Sequence, residues 1–449
     1  MQAVVLAAGR GSRLRELAEC KPLQPLLGLP LLERNVRAAQ QCGIEDIVIV
    51  TGYEHARVEE WRRRFAARHD APAVRLVHNN EWETAENGRS LLAAAPFIQG
   101  RFLLLMGDHV YTPELLRSLC AQTPPPGGAV IAVDGMITRS DIDLNDVTRV
   151  RLAENRVEEI DKHLATFDAF DTGAFICEPD VLEQVRREVD AGRTRLSDAM
   201  QALAANGALL AHRVDGCYWQ DVDTPEMYRL AEHGLLDWAG SKRNDGFVAR
   251  WINRPFSKRI SKWLLVRSAL QPNHISLIAF AIGIVAALLL AQPHYLTLLL
   301  GGLLVQLASV VDGCDGEVAR LRFESSSYGG WLDALLDRYA DLAVLGALTW
   351  HLMQTQQEMA WMWLGLAAIA GSFIASYSAH KADQLSGNLG WRLGRDTRSL
   401  IVMVGAILAR PDLVLWVVAI VMNAVVLYRI ISLRRPYEEQ ERLSQEVVP

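Results

Sequence analysis

The chain has 449 residues, enough for two or three domains with sizeable cores. A net charge of −6 excludes a general electrostatic pull toward nucleic acid, so no nucleic-acid partner is expected. Six cysteines (Cys20, Cys42, Cys120, Cys177, Cys217 and Cys314) show no CxxC pairing, which argues against a disulfide scaffold or a zinc site and for reduced thiols.

Residues 1–240 alternate short apolar runs (VVLAAG, IVIVTG, FLLLMGD) with charged amphipathic segments. This predicts an α/β fold of buried strands joined by helical crossovers. The first strand opens directly on MQAVVLAAG, with no signal-peptide pattern ahead of it. A glycine-rich loop follows, Leu6-Ala7-Ala8-Gly9-Arg10-Gly11-Ser12-Arg13-Leu14. Gly9 and Gly11 let backbone N–H groups approach a triphosphate, and Arg13 adds a charged fork. Further on come Lys21-Pro22-Leu23 and Gly28-Leu29-Pro30-Leu31-Leu32. Phe102–Met106 reads as a buried strand leading to Gly107-Asp108, at the carboxyl edge where open α/β sheets bind ligands.

LAAGxGxRL followed by KPLxPxxGxPLL resembles the sugar-phosphate nucleotidyltransferase family over residues 1–235 or so. The resemblance implies a Rossmann-like mixed sheet and nucleotide contacts from Leu6, Ala8, Gly9, Gly11, Lys21, Asn87 and Ser90, the last two within Glu86-Asn87-Gly88-Arg89-Ser90-Leu91. It also implies catalytic roles for Arg13 and Lys21. Asp108 and Asp223, with Asp221 in reserve, become ligands of a divalent metal. On the acceptor side it points to Lys162 for a phosphate and to Asp171, in Asp171-Thr172-Gly173-Ala174-Phe175, for the pocket wall.

Residues 241–273 form a junction. Arg250, Arg254, Lys258, Arg259, Lys262 and Arg267 interleave with Trp251, Phe256, Ile260, Trp263 and Leu264. A basic amphipathic helix with this face suits the headgroup layer of a membrane, which makes membrane lipids an expected partner.

Residues 274–435 are mostly apolar. Six spans are expected, near 275–291, 295–311, 332–353, 359–380, 397–409 and 412–431. Several reach the roughly 20 residues a bilayer needs only by running into polar motif residues. The connectors 292–294 and 354–358 carry no Lys or Arg, whereas Arg320, Arg322, Lys381, Arg392, Arg395, Arg398, Arg434 and Arg435 gather on the other side. The positive-inside rule then predicts a multi-pass protein of the cell (inner) membrane, with the amino-terminal domain, both active sites and the polar tail 436–449 in the cytoplasm.

Asp312-Gly313-Cys314-Asp315-Gly316-Glu317-Val318-Ala319-Arg320 is followed by Gly329, Asp333 and Asp337. Asp312 and Asp315 stand i,i+3 on one helix, and Asp333 and Asp337 stand i,i+4 on the next, so two helices aim four carboxylates at one point. Four acids at the end of a membrane span are costly unless cations compensate them, and a pair of Mg²⁺ or Mn²⁺ ions does so. The spacing is similar to the CDP-alcohol phosphatidyltransferase signature at every position. That resemblance implies metal binding by Asp312, Asp315, Asp333 and Asp337, nucleotide contacts from Gly316 and Arg320, and Asp337 as the base that deprotonates an acceptor hydroxyl. Pro272-Asn273-His274-Ile275-Ser276 looks like the family's entry motif, and Arg395 and Arg398 are candidates for an acceptor phosphate.

The two halves in this order resemble bifunctional enzymes that join a CTP:inositol-1-phosphate cytidylyltransferase to a di-myo-inositol-phosphate phosphate synthase. The implied partners are CTP, inositol phosphate or another polyol phosphate, and a CDP-alcohol. Two rivals stand beside it: a membrane half that is a phospholipid synthase with a lipid acceptor or CDP-lipid donor, and an amino-terminal half that is a non-catalytic binding module. A homodimer is left open.

Overall fold

The computed structural model describes residues 1–14, 19–84, 86–241, 246–386 and 394–446. The chain divides into two compact units, Met1–Trp238 and Ala239–Pro449.

The first unit is built on a nine-stranded mixed sheet. In spatial order its strands are Ala73–His78, Asp46–Thr51, Gln2–Ala7, Phe102–Met106, Ala169–Cys177, Ala129–Asp134, Leu209–Arg213, Arg156–Asp161 and Arg149–Ala153. The first four run parallel, with Val4 opposite both Val48 and Leu104. Their central strands are near-continuous apolar runs because helices cover both faces. Ala169–Cys177 then enters antiparallel and makes the sheet mixed. Val4, Val48, Leu104, Ile131, Phe175 and Leu209 form the core between these strands, and Leu91, Val185 and Met200 from three helices pack onto it.

The sheet positions a site at its carboxyl edge. Gln2–Ala7 lies between Asp46–Thr51 and Phe102–Met106, so the chain turns away in opposite directions on either side of it, the place where open sheets form a crevice. Gly107 N–H donates to Leu6 O at 2.8 Å. A Cβ on Gly107 would lie 2.6 Å from that oxygen, so only glycine lets the Asp108 loop close this tightly over the first strand. A two-stranded ladder, His109–Tyr111 with Trp219–Asp221, draws the Asp221–Asp223 segment to the same edge.

The second unit is helical. A short turn at Ala249–Asn253 leads into Arg254–Arg267, and among the described residues six helices follow: Pro272–Leu290, Tyr295–Arg322, Ser327–Gln356, Ala360–Ser386, Arg395–Ile407 and Pro411–Glu446. Four of them are long and apolar enough to cross a membrane by length and composition: the first, the second, the fourth over Ala360–Ala379 and the sixth over Pro411–Ser432. The third carries Asp333, Asp337, Arg338 and Asp341, and the fifth has 13 residues, which is why neither meets the same criterion. Leu290, Leu348, Ala368, Val402, Leu415 and Val418 are among the buried residues that pack these helices together.

The basic helix Arg254–Arg267 is tied into the second unit by buried polar contacts. Trp251, Phe256 and Trp263 are exposed, whereas Ser257, Ser261 and Leu264 face inward. Fully buried Glu317 of the second helix accepts hydrogen bonds from Ser257 Oγ (2.7 Å), Ser261 Oγ (2.6 Å) and Arg254 Nη1 (2.8 Å). Asn253 adds a second tie, donating to Ser309 Oγ at 3.1 Å and to Asp396 Oδ1 at 2.6 Å while accepting from Gln306 Nε2 at 2.6 Å. A buried carboxylate satisfied by three donors locks this helix to the one bearing Asp312 and Asp315.

Candidate active sites

In the first unit the glycine-rich loop, the Asp108 loop and the Asp221–Asp223 segment enclose a cleft of about 610 Å³. Its lining includes Gly9, Arg13, Asn87, Asp108, His109, Lys162, Asp171, Asp221 and Asp223. A contiguous recess of about 230 Å³ is walled by Leu6, Gly11, Arg13, Lys21, Asn87, Asp108 and Asp223. Gly11 adopts φ +62°, and a Cβ there would meet Lys21 Cβ at 2.6 Å, so the lysine stem packs directly on the glycine. The loop leads into a single 3₁₀ turn, Ser12–Leu14, and residues 15–18 lie outside the described residues.

Charges alternate along this cleft. Lys21 Nζ donates to Asp108 Oδ2 at 2.9 Å and also to Asp223 Oδ1. Arg13 bridges Asp223 and Asp146, the latter at 2.5 Å. Lys162 Nζ donates to Asp146 Oδ1 at 2.6 Å. His109 Nδ1 lies 3.0 Å from Asp108 Oδ1 and 3.9 Å from Asp221 Oδ1. Burial works against the charges of Lys21 and Asp108, but the neighbours outweigh it. Asp108, Asp223 and Asp221 hold the Lys21 ammonium protonated well above the usual lysine range, and Lys21 and His109 hold Asp108 well below the usual carboxylate range. For Asp171 burial wins over the hydrogen bond from Gly173 N–H (2.7 Å), and the carboxyl is pushed up to about 6.

The structure thus brings together Arg13, Lys21, Asp108, Asp223, Lys162 and Asp171, with Asn87 at the rim. It does not bring Ala8 or Ser90 to the cleft wall. Ala8 O is taken by Tyr53 N–H at 3.1 Å, and buried Ser90 accepts from Asn79 Nδ2 at 3.1 Å. Asp146 and His109 were not singled out from sequence. His109 directly follows the strand-end Asp108, a usable signal, but Asp146 meets Arg13 across 133 residues and nothing local marks it.

Asp221 belongs to two carboxylate-rich groups whose ligand atoms lie within 4.8 Å of one another, Asp108–His109–Asp221 and Asp146–Asp221–Asp223. A mainly oxygen donor set of this kind fits a hard divalent cation beside a triphosphate.

In the second unit Asp312, Asp333 and Asp337 also place carboxylate oxygens within 4.8 Å of one another, an all-oxygen set that fits the same class of ion. The i,i+4 spacing on the third helix and the last turns of the second make this possible. Asp315 lies outside that trio: its Oδ2 accepts from Ser276 Oγ at 2.5 Å, which ties the entry motif to the signature. Gly316 has the Arg320 guanidinium over it, 3.3 Å from where a Cβ would sit, while Arg320 Nε donates to Ala239 O at 2.7 Å.

Arg395, expected at an acceptor phosphate, lies instead against the carboxylates, with Nη1 2.8 Å from Asp312 Oδ2 and also bonded to Asp337. Arg398 is buried, 2.9 Å from Asp341 Oδ2 and donating to Ser372 Oγ at 2.8 Å. Arg392 and the side chains of Lys381, Arg434 and Arg435 lie outside the described residues.

Taken together, the fold and these sites define a nucleotidyltransferase joined to a CDP-alcohol phosphotransferase. Residues 3–166 match the MobA-like NTP transferase domain, and residues 269–433 match CDP-alcohol phosphatidyltransferase. The "Bifunctional IPC transferase and DIPP synthase" of Rubrobacter xylanophilus is 40% identical over 440 residues, covering 96% of this chain and 96% of that protein. The protein of the same name from Aquifex aeolicus is 34% identical over 432 residues, covering 94% and 95%. The chain belongs to this bifunctional family. Among solved structures, the inositol-1-phosphate CTP transferase from T. maritima resembles it with 24% identity and a TM-score of 0.46, covering 51% of this chain and 94% of that one.

Proposed function

We propose that the first unit makes CDP-inositol from CTP and inositol 1-phosphate, and that the second unit transfers its phospho-inositol group to another inositol 1-phosphate. The product is a phosphorylated di-inositol, with release of CMP. What carries this reading is one chain holding both a phosphate-binding cleft and the complete aspartate signature, matched over nearly its whole length by the bifunctional relatives.

In the first reaction a phosphate oxygen of inositol phosphate attacks the α-phosphorus of CTP, and the bond to pyrophosphate breaks. Arg13 and Lys21 supply fixed positive charge for the triphosphate, and Lys162 holds the attacking phosphate. Asp108 and Asp223, with Asp221 beside them, would hold Mg²⁺ or Mn²⁺, which supplies charge neutralisation to the leaving pyrophosphate when bound. Asp171 accepts a hydrogen bond from an acceptor hydroxyl, a role supported by its position in the cleft lining.

In the second reaction Asp337 takes the proton of the attacking hydroxyl as the new P–O bond forms and the bond to CMP breaks. Arg395 turns from Asp337 to a substrate phosphate, which frees the carboxylate for that proton. Asp312, Asp315, Asp333 and Asp337 would hold two divalent ions, and Gly316 and Arg320 border the nucleotide.

The second unit sits in the cell membrane as six spans with both sites on the cytoplasmic face, and the exposed aromatics and cations of Arg254–Arg267 rest among the headgroups. Single cysteines in a cysteine-free background test this orientation. Ser327→Cys stays protected from an impermeant reagent in intact cells, whereas Gln356→Cys reacts; the reverse pattern overturns the topology. For the chemistry, membranes given CTP and inositol 1-phosphate are analysed by mass spectrometry. CDP-inositol, CMP and a water-soluble di-inositol product are expected. A product extracted into organic solvent would instead establish a lipid synthase.

A further inference from the structure

We propose that Asp146 is a positioning residue for nucleotidyl transfer, a carboxylate latch that holds Arg13 and Lys162 side by side so that the two substrates' phosphates meet in line. The proposal deepens the nucleotidyl-transfer reading and rests on it.

Asp146 contributes one oxygen to Lys162 at 2.6 Å and the other to Arg13 at 2.5 Å. These cations arrive from separate places: Arg13 from the loop after the first strand, Lys162 just beyond the strand Arg156–Asp161. Both are long and half exposed, with 54% and 48% of their side-chain surface open, whereas Asp146 is 18% exposed and sits in the wall. Left alone, two such side chains spread over many rotamers and repel each other. A shared carboxylate removes both problems, because each cation is within hydrogen-bond reach of the same group.

The wider pattern fixes what the latch spans. Arg13 also binds Asp223, and Lys21 joins Asp223 to Asp108. Charge therefore alternates from Lys162 at the acceptor end to Asp108 at the triphosphate end, and Asp146 is the link between the two ends. Transfer requires the attacking oxygen and the α-phosphorus at near-contact distance, and orientation of that kind is worth large factors in rate. Asp146 bears the same charge sign as the phosphates, so it gains nothing by touching them. It acts through the cations it holds, and it competes with the acceptor phosphate for Lys162.

That competition sets the kinetic signature. Removing the charge of Asp146 frees Lys162 for phosphate but loses its alignment with Arg13. With full-length protein, D146N is expected to lower kcat for CDP-alcohol formation at least about 10-fold. Its KM for inositol 1-phosphate stays the same or falls. K162M raises that KM. In the K162M background D146N costs at least about threefold less in kcat than in the native background, because one of the two cations to be aligned is already gone. Asp146→Glu restores part of kcat. Melting temperature and phosphotransfer from supplied CDP-alcohol stay at native values in D146N, which separates positioning from folding. Additive effects in the double variant, native kcat in D146N, or a raised KM with unchanged kcat each overturn the proposal. Failure of the native protein to form any CDP-alcohol would overturn the nucleotidyl-transfer reading itself.

Discussion

Gly11→Ala is the substitution whose consequences the structure specifies most fully. Gly11 holds φ +62°, where an alanine costs about 1–2 kcal/mol. The new methyl would lie 2.6 Å from Lys21 Cβ and 2.7 Å from Lys21 Cδ, where comfortable carbon contacts lie at about 3.5–4.0 Å. The lysine stem must retreat by about 1 Å, and its ammonium then leaves Asp108 and Asp223. A misplacement of about 1 Å in a charge aligned for reaction costs about 100-fold in rate, or about 2.7 kcal/mol on the barrier. The assay is pyrophosphate release from CTP and inositol 1-phosphate, with phosphotransfer from supplied CDP-inositol as the control in the same preparation. Pyrophosphate release should fall about 100-fold and phosphotransfer should hold. Gly9→Ala is the contrast, because its added Cβ meets nothing within 4 Å of the chain. It should leave stability unchanged and raise KM for CTP, through the approach of ligand alone. Gly11→Ala protein with more than half the native rate would refute the argument that Lys21 is held in place by this glycine.

Three further outcomes are expected. Asp333→Ala, which breaks the trio with Asp312 and Asp337, should abolish CMP release while leaving CDP-alcohol formation intact; near-normal CMP release would remove Asp333 from the metal site. Glu317→Ala withdraws a fully buried carboxylate from Arg254, Ser257 and Ser261, and thermal unfolding in detergent should show a loss of about 3–5 kcal/mol, whereas an unchanged melting curve would show the network to be idle. Burial raises Asp171 to about 6, and its charged form is the better hydrogen-bond acceptor, so kcat/KM for inositol 1-phosphate should climb as pH rises through 6. Asp171→Asn should flatten that limb beyond what titration of the substrate phosphate explains, and an identical profile in both proteins would dismiss Asp171 from the acceptor pocket.

The two sites are legible in the sequence to different depths. Asp312 with Asp315, and Asp333 with Asp337, can be paired from their spacing, because helix periodicity alone puts i,i+3 and i,i+4 residues on one face. Asp108 can be placed at a sheet edge because the five consecutive apolar residues Phe102–Met106 read as a buried strand, and the first polar side chain after it emerges at the rim. Arg395 shows the opposite case. Its position in a basic stretch suggests a substrate phosphate, yet it reaches back 58 residues to Asp337, a contact set by how the third and fifth helices pack.

By itself, then, the sequence determined what depends on near neighbours: the alternation of strands and helices, the Gly9–Gly11 loop, the carboxylate spacing and the apolar stretch that follows residue 274. Only the tertiary structure decided which charges meet. Asp146 joins Arg13 and Lys162, Glu317 receives Ser257 and Ser261, and Asp315 takes the hydroxyl of Ser276. The physical reason is that a buried or half-buried charge must find a partner, and which partner is within reach is set by packing rather than by distance along the chain.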